Sequence, residues 1–158
     1  MALQLFRPFL DHTRSAQFLD DRRLNKQVLE GYQIARVCLA ELGCLTSNTR
    51  YMTHPMVRHV YHGGKPYLPD LIAYIEACDH EFRWRGGKRG NAFAAKLSQL
   101  AEQVQMHHAL MDAHALPPYF VFGDRRESDP EKVFRLYRQL LYTKWASDGQ
   151  WARARIHL

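Results

Sequence analysis

The sequence predicts an all-α fold, organised as a compact single-domain helical bundle with short extended connectors. Two observations support this prediction. Apolar residues recur at helical spacing along most of the 158-residue chain, and glycine and proline are concentrated between those stretches. No low-complexity tract or linker divides the chain, and its length is sufficient to bury a substantial core. We therefore expect one domain over residues 1–158.

The first long helix is predicted to run to about Leu42 and to end at Gly43, a favoured residue after a helix C-terminus. Asp11, Thr13 or Ser15 could cap its start, because each side chain carries an oxygen that accepts a backbone N–H. The segment before it, LQLFRPF, is expected to be extended.

Four more helices are predicted after this one. The first begins at Pro55, since proline is favoured in the first turn of a helix. Helical periods then recur in the segments PDLIAYIEACDHEFRW and AFAAKLSQLAEQVQMHHALMDAHA, and in a last helix from about Asp129 to Trp145. The segment LPPYFVFGD, which precedes the last helix, is expected to be an extended connector.

Charge and cysteine content limit the class of protein. A net charge of +6 and a pI near 9.4 favour a polyanionic partner. Cys38, Cys44 and Cys78 lack metal-ligand spacing and form an odd number, which indicates reduced thiols in a cytoplasmic protein. No signal peptide or membrane-spanning run is evident. The nine histidines show no zinc pattern, so we expect no metal and no cofactor.

Polar residues interrupt the face of the first long helix that should be buried. Asp20, Arg23, Gln27 and Glu30 align at helical spacing with core residues such as Leu24. Burying such groups is unfavourable by several kcal/mol unless each finds a partner. A carboxylate here, held by arginine and glutamine, could perform acid–base chemistry. The alternative is a salt-bridge ladder on a partly exposed helix.

Two basic segments could bind phosphates. His54 precedes a helix N-terminus, where free amides and the helix dipole favour an anion, and Arg58 follows within one turn. Later, four cations surround Trp84 in a glycine-rich turn: Arg83, Arg85, Lys88 and Arg89. The alternatives are a plain helix-start turn at the first segment and a solvated turn at the second.

Two further features are candidates. In the last helix, aromatic residues at helical spacing are expected to belong to the core, with Arg138 and Lys144 flanking it from the surface. At the chain start, removal of methionine before the small Ala2 would leave a free α-amine. Such an amine has a pKa of about 8, against about 10.4 for lysine, and can form an imine as a nucleophile.

Several of these segments together resemble a known family. The element LDxxRLxKQxxExxQI is matched by Leu19-Asp20, Arg23-Leu24, Lys26-Gln27, Glu30 and Gln33-Ile34, and a later HP step by His54-Pro55. In these motifs the chain is similar to small bacterial and phage proteins classed with the pyrimidine-dimer DNA glycosylases of the endonuclease V type. The similarity extends over roughly residues 5–90.

The resemblance implies a compact helical enzyme that binds double-stranded DNA and uses its N-terminal α-amine to attack the sugar C1′. The resulting imine cleaves the glycosidic bond, and β-elimination then nicks the strand. It also implies a supporting carboxylate on the first long helix, cations that bind phosphates, and extrusion of a base from kinked DNA, without a metal. The carboxylate would be Asp20, or Asp21 in a second alignment, with Arg23 and Lys26 as cations and His54 in the pocket.

The sequence therefore predicts a monomeric DNA-repair glycosylase with associated AP-lyase activity on damaged or modified pyrimidines, pyrimidine dimers first. The alternatives are a non-catalytic DNA-binding protein and an enzyme acting on another modified base. The catalytic candidates are Ala2, Asp20, Arg23 and Glu30. The candidates for DNA binding are Lys26, Gln27, His54, Arg58, Arg83, Arg85, Lys88, Arg89, Arg138 and Lys144.

Overall fold

The computed structural model describes residues 3–148, which form a helical bundle with one short β-hairpin. The all-α prediction is confirmed. Within these residues the α-helices are α1 (His12–Phe18), α2 (Asp21–Glu41), α3 (Pro55–Tyr61), α4 (Leu68–Trp84), α5 (Asn91–Met106) and α6 (Pro130–Ser147). The strands are β1 (Phe120–Phe122) and β2 (Arg125–Glu127), and the 3₁₀ turns are Arg50–Thr53, His62–Gly64 and His108–Leu110. None of the helices described here combines the length and apolar character needed to cross a bilayer.

The prediction of one continuous first helix is wrong, because the chain breaks between α1 and α2. Asp11 caps α1 by accepting the Arg14 N–H at 2.7 Å, as one of the predicted caps. Leu19 is then fully buried in an extended conformation, and the Asp20 side chain starts a second helix by accepting the Arg23 N–H at 3.1 Å. The extended Leu19 and the capping Asp20 therefore divide the predicted helix into α1 and α2.

The connector before the last helix contains strand structure that the sequence did not predict. β1 and β2 are antiparallel, with Phe122 opposite Arg125, so Gly123 and Asp124 form a two-residue turn. Gly123 has a φ of +55°, which glycine adopts without the Cβ penalty. Phe120 packs edge-on against Tyr137 of α6, and this contact fixes the hairpin to the bundle.

The helix predicted for residues 92–115 also ends early, at Met106.

The core is centred on α2, which packs mainly on α4. Leu24, Val28 and Ile34 of the predicted core face have no exposed surface. The aromatic face of α6 is buried as predicted, with Tyr137 and Trp145 in the core. The burial of these apolar residues therefore holds the polar residues on the same face of α2 in fixed positions.

Buried polar contacts also hold the start of the chain. The Arg7 guanidinium is 2% exposed and donates to the Leu116 carbonyl at 3.0 Å. Burial lowers the pKa of Arg7. The Tyr74 hydroxyl on α4 donates to the Phe6 carbonyl. These bonds tie the extended first segment to α4 and to the connector that leads into β1.

Substituting Gly31 tests the close approach of α2 and α4. A Cβ at this position would lie 2.7 Å from the Cγ1 of Ile75, so Gly31→Ala should lower the free energy of unfolding by about 1–3 kcal/mol despite the better helix propensity of alanine. Urea unfolding measures this change. In an Ile75→Ala background the same substitution should be neutral or stabilising, and an equal loss in both backgrounds would contradict the steric explanation.

Candidate active site

A cavity of about 520 Å³ opens where the start of the chain meets α2, the start of α3, the hairpin and the end of α6. Its size falls in the usual range for ligand pockets. One carboxylate, Glu30, lines it. Among the described residues, five cations line the same cavity: Arg22, Arg23, Lys26, Arg126 and Lys144. The cavity therefore suits a polyanionic ligand that brings one reacting group near an acid.

Glu30 is the buried acid of this cavity, with 5% of its surface exposed. Its Oε2 accepts the Gln4 backbone N–H at 2.9 Å, and its Oε1 lies 3.6 Å from Lys26 Nζ. Within the described residues, Oε1 is buried without a hydrogen-bond partner. Burial raises the pKa of Glu30, and the Gln4 amide and Lys26 offset only part of this effect. A carboxyl with a raised pKa holds its proton more readily than one in water, which suits a group that both gives and takes a proton.

Gln27, one turn before Glu30, holds the backbone of the first segment. Its Oε1 accepts the Phe6 N–H at 2.8 Å, and its Nε2 donates to the Gln4 carbonyl at 2.8 Å. The side chain of Gln4 in turn donates to the Val121 carbonyl in β1 at 2.7 Å. Gln27 and Glu30 on the buried face of α2 thus find partners in the backbone of the chain start.

His54 lies on the opposite wall and caps α3. Its Nδ1 faces the Met56 N–H at 3.1 Å, and its Nε2 faces the Leu3 N–H at 3.3 Å. A neutral imidazole has one acceptor nitrogen, so it satisfies one of these two amides at a time. Burial lowers the pKa of His54, and the charge of Arg126 lowers it further. His54 is therefore a neutral ring that contacts the first described residue.

The cations of the cavity affect one another. Burial lowers the pKa of Lys144, and the positive charges of Arg23 and Lys26 lower it further. Arg23 itself is held by Asp148 at 2.6 Å and, more weakly, by Asp20 at 3.4 Å. An amine placed in this cavity is thus more easily deprotonated than one in water.

Asp20, the carboxylate that the sequence favoured for catalysis, does not line the cavity. It is 5% exposed and accepts hydrogen bonds from the Arg23 N–H and, at 2.5 Å, from Trp145 Nε1. Asp21 instead pairs with Arg85 at 3.0 Å. Of the three carboxylates that the sequence left open, Glu30 is the one that faces the cavity.

Comparison with protein-family profiles identifies the class to which the chain belongs. A profile of the pyrimidine dimer DNA glycosylase family matches residues 3–95, more than half of the chain. The chain belongs to this family. Searches of curated proteins and of solved structures returned no match. Membership implies an enzyme of the DNA glycosylase class that binds DNA as its substrate.

The part of the chain that matches the glycosylase family supplies most of the cavity, including Glu30, Lys26 and His54. The hairpin and Lys144 of α6 lie beyond the match. Ala2, the predicted nucleophile, lies outside the described residues.

Other predicted DNA contacts of this glycosylase-family protein lie outside the cavity. Arg58 is exposed on α3, and Arg138 donates to the Pro8 carbonyl at 2.7 Å. In the basic turn, Arg83 and Lys88 are exposed. Their role in DNA binding stays a prediction.

Arg83 pairs with Asp79 at 3.2 Å, and the two less exposed arginines of that turn also bind carboxylates within the protein. Arg85 pairs with Glu81 at 2.8 Å and with Asp21 at 3.0 Å. Arg89 pairs with Asp79 at 2.9 Å and lies over the Phe82 ring. A phosphate would have to compete with these partners, so both residues have a structural role whether or not they also contact DNA.

Sequence reasoning missed three contributors to the cavity: the backbone amides of the chain start, Arg22 and the hairpin. Arg22 is exposed on α2 and also lines the cavity. The Gly123-Asp124 step between an apolar run and two arginines was the available signal for the hairpin. Within residues 3–148, no three metal-binding side chains converge.

The raised pKa of Glu30 predicts a pH dependence of stability. The folded protein holds this proton more tightly than the unfolded chain, so the contribution of Glu30 to the free energy of unfolding is largest below its unfolded pKa, about 4.3, and falls as pH rises through its folded pKa. Glu30→Gln removes the titration and keeps an acceptor for the Gln4 amide. The free energy of unfolding of this variant, relative to that of wild type, should therefore increase as the pH is raised from about 4 to about 7. Urea unfolding across this range measures the difference, and a constant value would contradict the burial argument.

The Asp20–Trp145 contact predicts a stability effect. Trp145→Phe removes a donor from a buried carboxylate and should lower the free energy of unfolding by about 1–3 kcal/mol, in addition to the loss from the smaller ring. A double-mutant cycle with Asp20→Ala isolates the hydrogen bond, because the loss of the α2 cap is common to both backgrounds and cancels. A coupling energy near zero would show that the two side chains do not stabilise each other.

Proposed function

We propose that this protein is a DNA glycosylase with AP-lyase activity that acts at pyrimidine dimers in double-stranded DNA, breaking the glycosidic bond and then the strand through an imine formed by an amine of the protein. One observation carries the proposal: the backbone of the chain start bonds directly to Glu30 inside a cavity surrounded by cations. The family supplies the substrate class. Membership of the small bacterial and phage branch rests on the LDxxRLxKQ resemblance and stays a prediction.

The α-amine of a chain that begins at Ala2 is the first candidate nucleophile. Leu3 lines the cavity and its N–H faces His54, while the next residue, Gln4, contacts Glu30. Consecutive α-carbons are about 3.8 Å apart, so residue 2 is one peptide unit from the cavity wall. This covalent reach supports the amine mechanism.

Glu30 is the proposed catalytic acid and base. The neutral amine attacks C1′ of the damaged nucleotide, the C1′–N bond breaks, and its electron pair leaves with the base. The nitrogen then loses a proton, and its lone pair forms the C1′=N bond as the C1′–O4′ bond breaks. The Glu30 carboxyl gives a proton to O4′, so a protonated imine joins the protein to the opened sugar. The Glu30 carboxylate then removes a C2′ proton, and the C3′–O bond breaks with departure of the 3′ phosphate. Hydrolysis of the imine returns the amine.

The cations have two roles in this proposal. Arg22, Lys26 and Arg126 bind phosphates on either side of the damaged nucleotide. The positive charge of the cavity also lowers the pKa of an amine placed in it. The lowered pKa of Lys144 supports this effect and makes Lys144 the second candidate nucleophile.

A trapping experiment tests the reaction class. The full-length protein is incubated with a duplex containing one thymine dimer and with borohydride, which reduces an imine to a stable amine, and the adduct is located by mass spectrometry. We expect an adduct on the N-terminal residue. An adduct on Lys144 would keep the reaction and move the nucleophile. Tight binding without adduct or strand cleavage would favour a non-catalytic DNA-binding protein or another modified base as substrate.

Two matched variants test the assignment of the carboxylate. Glu30→Gln should reduce strand cleavage by about 10²- to 10⁴-fold, the usual range for loss of a general acid or base, while DNA binding persists. Asp20→Asn should cleave at a rate much closer to wild type, because Asp20 caps α2 outside the cavity. A large loss in Asp20→Asn with full activity in Glu30→Gln would reverse the assignment.

A further inference from the structure

Phe122 is an exposed aromatic residue on the rim of the cavity. Half of its surface is exposed, although it follows two buried residues in β1. Other large apolar side chains are exposed elsewhere on the described residues, but Phe122 is the one among them that also lines the cavity. Phe122 lies next to the proposed reaction centre and outside residues 3–95, which match the family. The family match therefore does not account for its exposure.

The hairpin presents this ring rigidly. Phe122 is the last residue of β1, directly before the two-residue turn. The Arg126 guanidinium folds back and donates to the Gly123 carbonyl at 2.7 Å and to the Arg125 carbonyl at 2.9 Å. A turn braced in this way holds a projecting side chain with little loss of conformational entropy on binding.

The charge around the ring matches a nucleic acid. Arg125 and Arg126 are exposed on β2, and the Lys144 ammonium lies 5.7 Å from the centre of the Phe122 ring. Asp124 at the turn is the one carboxylate of the hairpin tip. An aromatic ring flanked by cations suits the stacked bases of DNA, with the cations contacting the adjacent phosphates.

We infer that Phe122 is a wedge that enters the base stack of duplex DNA at the lesion and fills the space left by an extruded nucleotide. The inference rests on the proposed function, because the damaged nucleotide must reach Glu30 from a duplex that has been opened. An apolar side chain inserted between base steps stabilises unstacked, kinked DNA. Phe122 is thus a positioning residue that opens the duplex, and Glu30 acts on the damaged nucleotide at the opening.

Base unstacking can be measured without chemistry. The probe is a thymine-dimer duplex carrying 2-aminopurine next to the lesion, whose fluorescence rises on unstacking, and the protein carries Glu30→Gln to prevent cleavage. Adding Phe122→Ala should abolish most of the fluorescence rise, whereas Phe122→Trp should retain it. Leu110→Ala, which removes an exposed apolar side chain away from the cavity, is the matched control and should leave the rise unchanged.

Cleavage measurements separate a wedge from a residue that only covers the cavity. With Glu30 intact, Phe122→Ala should slow cleavage of the dimer duplex by about 10- to 100-fold, the effect expected from loss of one stacking contact. Cleavage of a single strand with an abasic site needs no unstacking and should remain within about threefold of wild type. An equal loss on both substrates would overturn the wedge and assign Phe122 to covering Lys144.

The two proposals fail in different ways. If borohydride traps no adduct but the fluorescence rise still depends on Phe122, the amine mechanism is wrong and the wedge stands. If an adduct forms but Phe122→Ala leaves both the fluorescence rise and duplex cleavage unchanged, the wedge is wrong and the mechanism stands. Absence of any fluorescence rise with the Glu30→Gln protein would also overturn the wedge.

Discussion

The structure depends on the pairing between the polar face of α2 and the backbone of the first segment. Gln27 bonds to the backbone of Phe6 and Gln4, and Glu30 bonds to the amide of Gln4. These side chains take the place of a neighbouring strand, because they satisfy amides that an extended segment would otherwise bury without partners. The same contacts bring the beginning of the chain next to the Glu30 carboxylate. The bonds that pack the first segment therefore also assemble the candidate active site.

At Glu30, the features that suit acid–base chemistry also destabilise the folded state. Burial raises the pKa of Glu30 and leaves one of its oxygens without a hydrogen bond among the described residues, which is unfavourable for the folded state. The raised pKa and the available oxygen are also what an acid–base catalyst needs. Asp20 shows the opposite case, since its carboxylate is fully used in capping α2 and binding Trp145.

The sequence was informative where structure depends on local periodicity. It predicted most of the helical segments, though not the break between α1 and α2, together with the buried side of α2 and the aromatic core of α6, because a helical repeat is visible in any short window. It also identified the polar stripe as unusual. It could not separate Glu30 from Asp20, because the partners that distinguish them lie far along the chain: Gln4 is 26 residues from Glu30, and Trp145 is 125 residues from Asp20. The hairpin was missed for a related reason, since its strands of three residues are too short for a clear alternation.

The hairpin and the end of α6 have a consequence for the order in which the enzyme is made. Synthesis proceeds from the N-terminus, and the nascent chain begins to fold as it emerges. A chain extended only to the end of α5 already contains Glu30 and the first segment, yet it lacks Phe122, Arg126 and Lys144, and therefore one wall of the cavity. The ribosome must reach Lys144 before the wall closes. Translation products that end before β1 would thus carry the acid without the basic wall that faces the same cavity.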